Sequence, residues 1–125
     1  MSLWSRLVIV LAGLFGASGV ALAAVSAHVT GDATLMTASH FLLFHAAALM
    51  GIIAICMRLG RGRAVLLAGG LVMALGTILF SGDLVARTLL ETKLLGGTAP
   101  YGGMLMIAGW LDVAVVGLFA ALDRS

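Results

Sequence analysis

The chain reads as four long apolar stretches separated by short polar punctuation. Residues 7–27 carry no ionisable side chain, and at about 1.5 Å per residue that run is helix enough to cross a hydrocarbon core about 30 Å thick. A second stretch lies within residues 33–57, a window without Lys, Arg, Asp or Glu that nevertheless holds His40 and His45. The third carries Asp83 near its end, and the fourth has Asp112 inside it. Backbone amides find no water in a bilayer, so spans are helices or a closed barrel, and these unbroken runs lack the alternation of barrel strands. The expected fold is an all-α integral membrane protein, a four-transmembrane-helix bundle. It forms a single domain over residues 1–125 with spans of about 6–28, 40–58, 63–87 and 100–122.

Composition agrees, since a mean hydropathy of +1.22 with 10% charged residues excludes a soluble domain. The first stretch ends in Ala21-Leu22-Ala23, a small-residue pattern that also closes secretory leaders. Its apolar run exceeds a leader's core, so a retained first helix is expected. Of the seven basic residues, Arg6, Arg58, Arg61, Arg63 and Arg124 fall on the cytoplasmic side if the amino terminus does, leaving Arg87 and Lys93 outside. Both termini are therefore expected in the cytoplasm, with His28, His40, His45 and Asp83 toward the outer face of the membrane. The compact Arg58, Arg61, Arg63 turn reads as a topology and headgroup anchor, and no nucleic-acid footprint is present. Cys56 stands alone, so there is neither a disulfide framework nor a cysteine-based metal pattern.

Helices in lipid associate through close packing at small residues. Gly13, Gly16, Ala17 and Ala21 mark such a surface on the first span, Ala47 and Gly51 on the second, Gly69, Gly70 and Ala74 on the third, and Gly109 and Gly117 on the fourth. An offset of 57 residues lays Gly13 over Gly70, Gly19 over Gly76 and Ser26 over Asp83, a faint parallel repeat of two hairpins. The methionines read as packing residues. The third helix is expected to run outward past the membrane, with Asp83, Arg87 and Glu91 at successive i, i+4 positions forming a charge ladder. Gly96 and Gly97 then end it. Thr98 is expected to cap the fourth helix, with Pro100 in its first turn.

His40 and His45 lie about 140° apart around a helix, so they do not share a face. His40 belongs at the outer interface and His45 about one turn deeper, where it needs a partner. Two readings of His45 stand: a neutral histidine bonded to a backbone carbonyl or to Asp83, or a group that transfers protons or binds a ligand, a metal or haem. A sharper arrangement would gather His28, His45 and Asp83 around one outer pocket. Their scattered spacing does not support a metal motif, so no metal site and no cofactor are assigned. Asp112 is placed near the midplane, about 16 Å along the helix from Tyr101. It is read as a protonated acid bonded to Thr77, a group on a water-filled path, or an inter-subunit contact.

The segments His40-Phe41-Leu42-Leu43-Phe44-His45-Ala46, Leu79-Phe80-Ser81-Gly82, Thr98-Ala99-Pro100-Tyr101-Gly102-Gly103 and Gly109-Trp110, with the glycine- and alanine-rich first span ending in Ala27-His28, resemble the domain-of-unknown-function 423 family. This is a family of small inner-membrane proteins that also has mitochondrial relatives. The resemblance covers essentially the whole chain and implies a four-helix membrane protein without an established activity. The chain departs from the family at Asp83, where a small polar residue is usual, at Asp112, where an apolar one is, and at His40. A function general to the family would then rest on His28, His45, Ser81 and the segment from Thr98 to Gly103. The candidate ligand or proton residues are thus His28, His45, Ser81, Asp83 and Asp112, and none is catalytic.

Three functions compete. The first is a non-enzymatic bundle that works by association with the lipid bilayer and with a membrane-protein partner or further copies of itself, as an accessory subunit or a lipid-binding component. The second is an oligomeric transporter or proton-coupled channel using Asp112 or Asp83 with His45. The third is a haem or metal protein. No nucleophile triad, phosphate loop or catalytic carboxylate pair is present, so an enzyme is not expected.

Overall fold

The computed structural model describes residues 1–120, and among them every regular element is helical. Four helices carry the fold: α1 (Leu3–Val25), α2 (Ala33–Cys56), α3 (Arg63–Leu89) and α4 (Ala99–Phe119). Each is long and apolar enough to cross a membrane. Arg124 and Leu122, used above for orientation and for the end of the fourth span, lie outside the described residues.

Local chemistry sets the helix ends. Ser2 caps α1 by accepting the Ser5 amide at 3.1 Å. At its far end α1 passes into a π-helical turn, Ser26–Thr30, closed by Gly31 at φ 64°, whose amide donates to Ser26 at 2.7 Å. Asp32 then caps α2, accepting the Thr34 amide at 2.7 Å and that of Leu35 at 3.3 Å. This carboxylate starts α2 at Ala33, well before His40. The basic turn reverses the chain through Gly62 at φ 83°, and the Arg63 guanidinium donates to the Leu59 carbonyl at 2.7 Å. α3 stops at Leu89, after which Glu91 and Leu95 adopt left-handed backbone at φ 54° and 47°.

Neighbours in sequence are neighbours in space: α1 packs on α2, α2 on α3 and α3 on α4, with a lesser contact between α1 and α3. Among the described residues α4 meets neither α1 nor α2 at the backbone. The central pair α2 and α3 therefore has 44% of its most apolar stretch buried, against 22% for α1 and α4. Large side chains such as Val10, Leu14, Ile107, Leu111 and Leu118 stand exposed on the outer pair, as lipid-facing residues do.

The small residues divide by position. Gly76 and Gly102 meet backbone to backbone, a Cβ on Gly102 falling 2.5 Å from the Gly76 carbonyl and the Phe80 amide. Gly109 lies on Met73, Gly19 on Leu43 and Gly70 on Ile52. Gly13, Gly51 and Gly117, expected at the same kind of contact, have open space where a Cβ would stand. Among the described residues nothing packs on these faces, which the spacing of small residues does not reveal. The expected repeat keeps one common element. Ser26 donates to the Asp32 carbonyl at 2.8 Å and Asp83 accepts the Ala99 amide at 2.9 Å, so each ties the end of one helix to the start of the next.

Candidate functional site

Asp83 is the polar hub of the loop end. It sits near the end of α3, fully buried, with every oxygen used: Oδ1 accepts the Leu94 amide at 2.9 Å, and Oδ2 accepts the Ala99 amide and the Arg87 guanidinium, each at 2.9 Å. The ion pair with Arg87 is the one expected from i, i+4 spacing. The ladder stops there. α3 ends before Glu91, whose left-handed backbone carries it off the helix, and Glu91 forms no ion pair among the described residues. Asp83 serves instead as a cap supplied by a neighbouring helix, its charge meeting the free first amide of α4. Thr98 occupies the capping position yet makes no capping bond; its hydroxyl crosses to the Leu79 carbonyl of α3 at 2.8 Å. Side chain and backbone thus fasten the start of α4 to α3 at two points.

His45 lies on the inward face of α2, about 18 Å from the start of that helix at Ala33. Trp110 on α4 donates its indole N–H to His45 Nε2 at 3.2 Å. An indole nitrogen is only a donor, so Nε2 is the accepting nitrogen, and Nδ1–H donates to the Phe41 carbonyl at 2.7 Å. The imidazole is neutral in this tautomer, and both nitrogens are engaged. Phe41 stacks on its ring at 6.0 Å and Trp110 approaches edge-on at 6.0 Å. Of the partners expected for His45, the backbone carbonyl is present and Asp83 is not. A buried indole usually finds an acceptor, and that is the sequence signal that points to Trp110.

Ser81 donates to the Ala38 carbonyl at 2.9 Å, tying α3 to α2. Ser39, not singled out above, does the same between α2 and α1, donating to the Gly19 carbonyl at 2.6 Å. His28 is exposed on the π-helical turn, apart from both His45 and Asp83. His28, His45 and Asp83 do not share their bonds: His45 is engaged by Phe41 and Trp110, and Asp83 is consumed by the start of α4. Among the described residues no three of His, Cys, Asp and Glu are grouped so as to hold a metal ion.

Asp112 differs from these. Its Oδ2 is buried and has no hydrogen-bond partner among the described residues. The carboxyl presses on Gly69 of α3, where a Cβ would overlap it. Thr77, the partner expected for it, donates to Met73 of its own helix at 2.8 Å. Asp112 is also not at mid-helix: it lies about 20 Å from Ala99 and about 10 Å from Phe119, closer to the basic-turn end. Among the described residues, cavities open at that end. One of about 370 Å³ lies between Ser2, Ser5, Ile53, Cys56 and Arg63, and one of about 220 Å³ lies in the α3–α4 seam between Arg61, Val65, Val115, Val116 and Phe119. At the loop end a cavity of about 430 Å³ opens between Ser26, Asp32, Met36 and His40.

Comparison with known proteins gives the same architecture a family. Residues 9–103 match the family model described as "Protein of unknown function (DUF423)". The UPF0382 inner membrane protein YgdD of Escherichia coli (strain K12) is 31% identical over 113 residues, 85% of this chain and 85% of that one. The UPF0382 membrane protein SH2409 of Staphylococcus haemolyticus is 41% identical over 46 residues, 37% of this chain and 38% of that one. No solved structure matches the chain. With four membrane-crossing helices, a family model over most of its length and an inner-membrane relative aligned along 85% of both chains, the chain belongs to the DUF423 family and is a multi-pass protein of the bacterial inner membrane.

Proposed function

We propose that this protein works by association rather than by catalysis, as an accessory subunit that packs against another membrane protein or against further copies of itself in the inner membrane. One observation carries this reading: among the described residues, the buried polar side chains Ser26, Ser39, His45, Thr77, Ser81 and Asp83 are all spent on the chain's own backbone or on one another. Ser39 and Ser81 tie adjacent helices, Thr98 and Asp83 fasten the start of α4, and His45 and Trp110 satisfy each other. What remains for the surroundings is apolar surface, concentrated on the half-wrapped helices α1 and α4. Such surfaces join other helices by shape and van der Waals packing. The occupied nitrogens of His45 also speak against axial ligation, since a haem or metal would first have to displace Trp110.

We propose in addition that both termini face the cytoplasm. Arg63 lines a cavity with Met1 and Ser2, so the amino terminus and the basic turn share one end of the bundle, and that end carries Arg58 and Arg61 as well.

The test is affinity purification of the tagged protein in mild detergent, with the bound proteins and lipids identified by mass spectrometry. A reproducible partner at fixed stoichiometry, or a defined homo-oligomer, is the expected result. Recovery of the free monomer alone, across several detergents, would overturn the proposal.

A further inference from the structure

Among the described residues, Asp112 Oδ2 is the buried side-chain oxygen that the fold leaves without a donor. Oδ2 is buried in the α3–α4 seam against Gly69, a residue without a side chain, so the carboxyl meets helix backbone there. An ionised carboxylate in that half-buried place would have neither a donor nor a cation beside its buried oxygen among the described residues. The charged and titratable groups of the surrounding elements lie elsewhere. On α3 they are Arg63 at its start and Asp83 and Arg87 toward its other end; on α4 the other titratable group is Tyr101, near its start. The turn before α3 supplies Arg58 and Arg61. His45 of α2 reaches α4 through Trp110, which points about 160° away from Asp112 around the helix.

A route to the carboxyl is also present. Val115 and Val116, which line the seam cavity of about 220 Å³, follow Asp112 by three and four residues, and Val65, on the opposite wall, precedes Gly69 by four. One helical turn thus separates cavity from carboxyl on both helices. The cavity has room for several waters and is lined in part by Arg61. We propose that Asp112 is a proton-binding site inside the membrane, sealed against Gly69 in the α3–α4 seam and exchanging its proton with the basic-turn end through this cavity. The ligand is the proton itself, since nothing larger fits between Oδ2 and Gly69 while the seam is closed. This goes beyond the associative role: it assigns a ligand to a residue that role does not use.

Infrared spectroscopy of the purified protein in phospholipid vesicles tests it. A C=O band of a neutral carboxyl is expected, shifted by carboxyl-labelled ¹³C-aspartate and missing in Asp112→Asn. Above its midpoint the band should fall about tenfold per pH unit. On transfer to heavy water it should shift as the proton is replaced by deuterium, and Val65→Phe, which narrows the cavity from an exposed position, should slow that shift about tenfold or more. Absence of any aspartate band in the parent protein, or a band that persists in Asp112→Asn, would overturn the site. A band indifferent to pH and to heavy water would overturn exchange, and an unchanged rate in Val65→Phe would overturn the route. Isotope labelling keeps the site testable even if Asp112→Asn fails to fold.

Discussion

Trp110 and His45 form a bond between residues 65 positions apart, and it is the polar link between α2 and α4, which do not meet at the backbone. Trp110→Phe keeps most of the aromatic surface and leaves His45 Nε2 buried without a donor. The variant should be less stable by about 1 kcal/mol, measured by denaturant unfolding in detergent micelles. A variant as stable as its parent would remove this bond from the account of how α4 is held. At this scale the sequence was partly legible. The Asp83–Arg87 pair follows from spacing along one helix, because partners four residues apart are neighbours whatever the rest of the fold does. Glu91 failed to extend it because the helix ends first. The indole that donates to His45, the carbonyl that accepts from Ser81 and the glycine that meets Asp112 lie on other helices, and no local periodicity reports which faces will meet.

The seam between α3 and α4 is held by glycines at some positions and indifferent to them at others. Gly102→Ala sets a methyl 2.5 Å from the Gly76 carbonyl and the Phe80 amide, so the helices must part. A cost of about 1–3 kcal/mol is expected. Gly103→Ala, one residue on, meets nothing within 4 Å and should be neutral or up to about 1 kcal/mol more stable through helix propensity. Thermal unfolding of the two variants side by side measures the difference, and equal melting points would refute the close crossing. Both glycines belong to the same Thr98 to Gly103 motif. The sequence places two glycines side by side there, while the crossing alone separates a residue that must be glycine from one that need not be. The two hairpins also differ in how they are fastened: a serine hydroxyl reaching a carbonyl after α1, and a carboxylate gathering two amides and a guanidinium after α3.

The whole molecule is a succession of helices rather than a closed ring, with α1 and α4 on the outside and no backbone contact between them. That arrangement leaves two apolar flanks for lipid or for a partner, and it puts the basic turn and the amino terminus at one end. Reporter fusions sort the orientation: alkaline phosphatase joined at either terminus should be inactive and green fluorescent protein fluorescent, both being cytoplasmic outcomes, and the reverse pattern would refute the assignment. The sequence by itself determined the environment, the class of fold and the family, because an apolar run long enough to cross a bilayer has to become a helix there, and backbone hydrogen bonding permits little else. Its charges also marked the basic end. Only the tertiary structure decided which polar residues are spent and which is left over. His45 acquired a donor from α4, Asp83 became the cap of a helix that begins 16 residues later, and Asp112 met a glycine where a donor was needed. Those outcomes depend on the rotation and depth of one helix against another, set by close packing of side chains far apart in the chain, and a single span carries no record of them.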